Sequence, residues 1–81
     1  MIDALINDGD IVLMRYQQTA ENGQMVAARI QDENAVTLKL FYNEGNRIRL
    51  QPANTTMEPI YVKPSNVSIE GRVVGVIRSM F

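Results

Sequence analysis

Turn-forming residues recur at short intervals along this chain and divide it into runs too short for long helices. The turn clusters combine Gly, Asn, Asp and Pro, which adopt positive φ, form local hydrogen bonds or preset φ. They occupy residues 7–10, 21–23, 32–34, 43–46, 52–54, 63–66 and 70–71. A chain punctuated at this spacing is typical of an all-β fold, and only residues 1–6 suit a helical turn.

The runs between these turns are rich in Val, Ile and Leu, which favours β-strands. The predicted strands cover residues 11–16, 24–31, 35–42, 47–51, 60–62, 67–69 and 72–80. The second, third and fourth runs are separated by loops of hairpin length, so they form a three-stranded antiparallel meander. Residues 11–14 and 73–77 are apolar on both faces, which is typical of a closed β structure or an interface.

We therefore predict a single domain over residues 1–81, built as a small antiparallel, partly closed β-sheet. Three methionines are predicted to fill its core, namely Met14, Met25 and Met57.

The composition excludes several kinds of catalytic site. The chain has no Cys and no His, which excludes thiolate nucleophiles, histidine metal sites and Ser-His-Asp triads. The net charge of -1 provides no basic face for binding nucleic acid directly. No apolar stretch approaches the roughly 20 residues of a membrane span, and no secretory leader is apparent. We expect a cytoplasmic protein without a cofactor or a metal.

Lys39 lies in the middle of an otherwise apolar run, on the same predicted strand face as Thr37 and Phe41. One interpretation is a lysine that extends its amine to solvent from the polar face of a sheet. The other is a buried, neutral lysine, because desolvation lowers the pKa of an amine. A neutral lysine can activate a serine hydroxyl, which is the form of serine chemistry available to a chain without His.

Several segments occur in an order and spacing that match a known family. They are residues 1–4 with 7–10, 22–30, 36–39, 45–54 with 58–60, and 71–78. Together they resemble the C-terminal domain of the LexA repressor family, self-cleaving Ser-Lys peptidases that include UmuD and phage repressors. The Leu-Gln-Pro-Ala-Asn turn ending at Asn54 and the closing Val-Gly-Val-Ile-Arg favour LexA over UmuD.

The resemblance implies that Lys39 is the general base and that the nucleophilic serine directly precedes the residue matching Met1. Ser65, Ser68 and Ser79 match none of the family's catalytic positions, so we expect the 81 residues to be inactive as a peptidase.

The resemblance also implies an N-terminal helix-turn-helix domain that binds operator DNA and a linker with an Ala-Gly cleavage site. Both are expected to lie outside these residues. The intact family member is a repressor of the SOS response, and RecA filaments on single-stranded DNA favour its self-cleavage.

The last predicted strand, which runs from Arg72 towards Phe81, is long and apolar. An open edge of this kind invites pairing with another chain. A chain of this size buries only about 60–65% of its unfolded surface, so it gains from association. We predict a homodimer through this strand, as the resemblance also implies; the alternative is a central, internally paired strand.

The alternative function is a β-rich dimerisation module without chemistry, in which Lys39 is an ordinary exposed residue. Two further pairs of charged residues have structural interpretations. Asp8 and Asp10 are predicted to form a turn rather than a metal or acid–base site. Arg47 and Arg49 share a strand face, which favours a solvated surface over a phosphate contact.

Overall fold

The strands lie in one antiparallel sheet in a computed structural model that describes residues 11–54 and 56–77. The strands are β1 (Ile11–Tyr16), β2 (Met25–Ile30), β3 (Ala35–Asn43), β4 (Ile48–Gln51), β5 (Ile60–Val62) and β6 (Val67–Ile77). A turn of 3-10 helix, Pro64–Asn66, precedes β6. The prediction of an antiparallel all-β fold is confirmed. No helix in this part of the chain is long and apolar enough to cross a membrane.

The strand order across the sheet is β1-β6-β2-β3-β4-β5. The predicted meander of β2, β3 and β4 is therefore confirmed, and β5 continues it. Asn34 in the first hairpin turn and Gly45 in the second have positive φ angles of 48° and 89°. Asn and Gly tolerate this backbone region better than other residues, so the sequence fixes both turns locally.

β6 is continuous over Val67–Ile77, whereas the sequence predicted a turn at Glu70 and Gly71 between two strands. The turn prediction was wrong. Glu70 is instead an additional residue between neighbouring positions of the β2 ladder, which is a β-bulge. A second bulge leaves Val74 as an additional residue in the ladder with β1. The predicted helical turn over residues 1–6 lies outside the described residues.

One face of the sheet carries the core. Its buried apolar side chains come from four strands: Val26, Ala28, Ile30, Phe41, Ile48, Leu50 and Ile69. Leu50 and Val26 are the largest side chains that are completely buried in the described structure. The alternation of β2 explains the pattern, because its apolar positions two residues apart face the same side.

The described strands form an open sheet rather than a partly closed one, because β1 and β5 each have a neighbour on one side. The ladder of β6 with β2 ends at the pair Arg72–Val26, so residues 73–77 pair with β1 alone among these strands. This β1–β6 ribbon, residues 11–14 and 73–77, leaves five large apolar side chains about half exposed. These side chains are Ile11, Leu13, Met14, Val74 and Ile77.

The methionine prediction was wrong at two positions. Met14 on the β1–β6 ribbon and Met57 in the loop before β5 are both exposed, while Met25 is half-buried. The sequence pattern had placed residues 11–14 within a closed β structure or at an interface. Met14 lies instead on the edge strand β1, and the described strands leave it uncovered.

Gly71→Ala is expected to destabilise the sheet, because a Cβ at this position would lie 3.0 Å from the backbone oxygen of Arg15. β1 and β6 would have to move apart, and overpacking of this kind costs about 1–3 kcal/mol. At Gly75 the nearest atom to an added Cβ is the Leu13 Cδ1, at 3.5 Å. Gly75→Ala is therefore the matched control, and it should lose less stability than Gly71→Ala. Urea unfolding of the three chains measures the difference, and equal losses would contradict the prediction.

Candidate active site

Lys39 lies in the middle of β3, on the sheet face that carries the core. Its exposed fraction is 7%, the lowest of any charged residue in the described part of the chain. Directly opposite on β2 is Val26, which is fully buried. Phe41, two residues further along β3, belongs to the core. The structure thus favours the buried interpretation of Lys39 over the one that extends it to solvent.

Neighbouring atoms of β3 hold the amine in position. The Lys39 Nζ donates a hydrogen bond of 2.7 Å to the Thr37 Oγ1 and lies 3.5 Å from the backbone oxygen of Leu38. A hydroxyl and a carbonyl oxygen can accept from an ammonium or from a neutral amine. These two contacts fix the position of the amine within β3. The strand alternation predicted Thr37 on this face, but its hydrogen bond had not been foreseen.

Lys39 belongs to a row of side chains that crosses four strands on one face. Arg15 lies opposite Arg72, and Arg72 lies opposite Val26. Val26 in turn lies opposite Lys39. Neighbouring strands are about 4.8 Å apart, so consecutive members of the row are adjacent. We call this set the cross-strand row. It brings two arginines to the same face as the candidate base, which nothing in the local sequence indicates.

A cavity of about 530 Å³ lies beside the core, bordered by Phe41. Its lining includes Phe41, Ile48, Val67 and Ile69. Its remaining lining is Gln18, Pro64, Ser68 and Glu70, so apolar side chains next to the core and polar residues share its wall.

The serines of the described residues do not reach Lys39. Ser68 pairs across the sheet with Arg29 and so lies on the opposite face; its hydroxyl accepts a 2.6 Å hydrogen bond from the Gln31 amide. Ser65 is exposed in the 3-10 turn. Ser79, like Asp8 and Asp10, lies outside the described residues. Within residues 11–54 and 56–77, no group of three or more acidic side chains is placed to hold a metal ion.

The chain matches a known protein family. The family model described as "Peptidase S24-like" matches residues 1–74. The chain belongs to the peptidase S24-like family. This match includes β3 with Lys39 and most of β6, and it confirms the resemblance seen in the sequence.

Curated relatives of this S24-like chain are LexA repressors. The LexA repressor of Roseiflexus sp. (strain RS-1) is 75% identical over 81 residues, which are 100% of this chain and 37% of that protein. The LexA repressor of Herpetosiphon aurantiacus is 70% identical over 80 residues, and that of Staphylococcus epidermidis is 54% identical over 80 residues. Each of these alignments covers 99% of this chain and 37% of the repressor. The chain thus spans little more than a third of the length of these relatives.

A second charged cluster in this S24-like sheet lies away from Lys39. The Glu44 carboxylate accepts hydrogen bonds from the Nε atoms of Arg47, at 2.8 Å, and Arg49, at 2.9 Å. The Arg47 guanidinium also lies 4.0 Å from the centre of the Tyr61 ring. The Arg49 guanidinium lies 4.2 Å from the centre of the Tyr42 ring. Arg47 lies just before β4 rather than within it, unlike the prediction. Both arginine charges are nevertheless paired with Glu44, which favours a structural role over a phosphate contact.

Glu44→Gln is expected to lower thermal stability at pH 7. The difference in stability from wild type should become smaller as the pH falls. The hydrogen bond from Arg47 lowers the pKa of Glu44 below its ordinary value of 4.5, the charges of Arg47 and Arg49 add to this, and desolvation opposes it. A lowered pKa in the folded state stabilises the fold above the unfolded-state pKa. That contribution is lost as the pH falls through the folded-state pKa.

Thermal unfolding of both chains between about pH 7 and pH 3 measures this effect. Glu33→Gln, at an exposed turn position outside the cluster, is the control. A difference between wild type and Glu44→Gln that stays constant across the pH range would contradict the assignment.

Proposed function

We propose that this chain is the dimerisation and self-cleavage domain of an SOS-response transcriptional repressor. The observation that carries the proposal is the burial of Lys39 on the core face of a sheet that belongs to the peptidase S24-like family. The name of the relatives, LexA repressor, supports the repressor role. A non-catalytic module in which Lys39 is exposed receives no support from the position of that side chain.

In the proposed mechanism, Lys39 is the general base of a Ser-Lys peptidase. The hydroxyl of a serine placed before Met1 attacks the carbonyl carbon of an Ala-Gly bond in the protein's own linker, and the Lys39 amine takes the hydroxyl proton. The lysine then gives this proton to the leaving amine, and water hydrolyses the acyl-serine. A base must be neutral to accept a proton, and removal from water disfavours the charged form of an amine.

The surrounding side chains support this role by restricting the amine. Thr37 holds the Nζ at hydrogen-bond distance, and the lysine is buried, with Val26 directly opposite on β2. The cavity bordered by Phe41 offers both apolar and polar walls to a bound peptide segment. We propose that Thr37 is a positioning residue and that the lysine acts on the reacting atoms.

The proposed biological consequence is separation of two parts of a repressor. Cleavage of the linker would detach an N-terminal DNA-binding domain from the dimer formed by this domain, and repressed genes would be released. A RecA filament on single-stranded DNA is the proposed partner that favours the cleavable state. Operator DNA would be bound by the N-terminal domain in the cytoplasm, not by this sheet.

Lys39→Ala is expected to abolish cleavage in a chain that carries a family-like segment ending in serine before Met1. The substrate is a peptide containing Ala-Gly, and the cleavage rate is followed between about pH 6 and pH 10. Loss of the general base should reduce the rate about 100-fold or more. Lys39→Arg should also be inactive, since a guanidinium keeps its proton in this range.

Lys63→Ala is the matched control, because Lys63 is exposed between β5 and the 3-10 turn. The extended chain with Lys63→Ala should cleave the peptide at the rate of the unsubstituted extended chain. The 81-residue chain without the added segment provides the baseline rate. A folded extended chain that does not cleave, or cleavage that survives Lys39→Ala, would contradict the proposed role.

We also propose that the chain forms a homodimer through the segment that begins at Arg72. Past this residue, β6 pairs with β1 alone among the described strands, and Val74 and Ile77 are about half exposed. β6 lies between β1 and β2, so it is internally paired up to Arg72, but residues 73–77 keep one uncovered edge among the described strands. An apolar edge of this kind pairs readily with a second copy. A two-fold axis would set the two strands antiparallel to each other.

Val74→Glu is expected to shift the chain towards monomer, because pairing would bury an unpartnered carboxylate. The dimer should weaken by about 2 kcal/mol or more, as measured by sedimentation velocity over a range of concentrations. Val36→Glu is the matched control, since Val36 is similarly exposed on β3, away from β6. A monomeric wild type, or equal effects of the two substitutions, would contradict the proposed interface.

A further inference from the structure

Two arginines of the cross-strand row lack the partners that the other arginines have. Arg15 and Arg72 lie directly opposite each other on β1 and β6, and like charges in this position destabilise a sheet. Neither forms an ion pair within the described residues. The remaining described arginines all do: Arg29 with Glu70, and Arg47 and Arg49 with Glu44.

The Arg72 side chain also has an unsatisfied donor. Its Nε is buried and has no hydrogen-bond partner in the described structure. The neighbour on its other side, Val26, is fully buried and apolar, so it offers no acceptor from its side chain. Buried donors without partners are rare in folded proteins, and each one calls for a physical explanation.

Both arginines line the same pocket, which has a volume of about 440 Å³. The loop between β1 and β2 forms the remaining wall and contributes Gln17, Thr19, Glu21 and Gln24. The Glu21 backbone nitrogen donates to the Gln24 side-chain oxygen at 3.0 Å, which holds the loop against itself. The Glu21 carboxylate makes no ion pair with either arginine in the described structure. The pocket therefore has a formal charge of +1 and polar walls.

We propose that this pocket binds the carboxylate of an acidic peptide side chain. A guanidinium presents a planar fork of donors that matches a carboxylate, and an incoming oxygen would satisfy the Arg72 Nε. One monovalent carboxylate neutralises the net charge of the pocket. A phosphate would bring excess negative charge close to Glu21. The volume accommodates a side chain along with its carboxylate.

The proposed site is distinct from the candidate base and concerns binding alone. In the cross-strand row, Val26 separates Arg72 from Lys39, so an occupant of the pocket would lie on the same face as the lysine, with β2 between them. Binding at the arginines does not require cleavage activity, and its test is independent of the proposed peptidase function.

The test follows the arginine Nε–H signals of the ¹⁵N-labelled 81-residue chain by NMR. The probe is N-acetylglutamate amide, titrated at constant ionic strength alongside N-acetylglutamine amide and inorganic phosphate. The glutamate compound should shift the Arg72 and Arg15 signals saturably and leave the Arg29 signal unchanged. The neutral glutamine compound should shift neither, and phosphate should bind more weakly than the carboxylate.

Arg72→Gln should weaken binding of the glutamate compound by about ten-fold or more, since it removes the charge-assisted hydrogen bonds. Arg29→Gln is the matched control, because Arg29 is paired with Glu70 on the opposite face, and it should leave the affinity unchanged. Arg15→Gln, on an exposed position of the edge strand, gives a second test if Arg72→Gln does not fold.

Thermal unfolding gives an independent readout. Arg72→Leu should raise the unfolding midpoint in the absence of ligand, because it removes the like-charge pair and the orphan donor. The glutamate compound should raise the midpoint of the wild type and not that of this variant.

The proposal is overturned by the absence of saturable shifts, by an equal response to the glutamine compound, or by an affinity that Arg72→Gln leaves intact. Tighter binding of phosphate than of the carboxylate would overturn the assignment of the ligand.

Discussion

The pairing of β6 with both β1 and β2 is the constraint on which the rest of the structure depends. The meander from β2 to β5 forms through contacts between neighbours in sequence, whereas β6, the last described strand, lies between β1 and β2, the first two described strands. β6 supplies Ile69 to the core and places Arg72 between Arg15 and Val26. The close approach of β1 to β6 depends on Gly71, which leaves room for the Arg15 backbone.

Local features of the fold could be predicted from the sequence. The hairpin-length loops, in which Asn34 and Gly45 have positive φ, predicted the meander. The alternation of β3 predicted the sheet face on which Lys39 lies. Alternation could not decide whether that lysine was buried, because a long side chain can reach solvent from a half-covered face. Its proposed role came from the family resemblance, and the structure supports this role through burial and the contact with Thr37.

Non-local features of the fold could not be predicted from the sequence, and the reasons are physical. A glycine after a glutamate is compatible with a turn and with a close approach of two strands, and Gly71 serves the second purpose. The cross-strand row joins residues that are far apart along the chain, and no local pattern encodes their register. The exposure of the β1–β6 ribbon was harder still to predict, because an apolar run has the same sequence pattern whether its own chain or another chain covers it.

The two β-bulges have a geometric effect on β6 as a whole. Each extra residue shifts the phase of the strand's alternation by one position, so the two shifts cancel over its length. Val67 and Ile69 before the first bulge are therefore in phase with Gly75 and Ile77 after the second. Only the short segment between the bulges is out of phase, and this inversion turns Arg72 to the core face. The arginine is thus directed inwards by two insertions that leave both ends of the strand undisturbed.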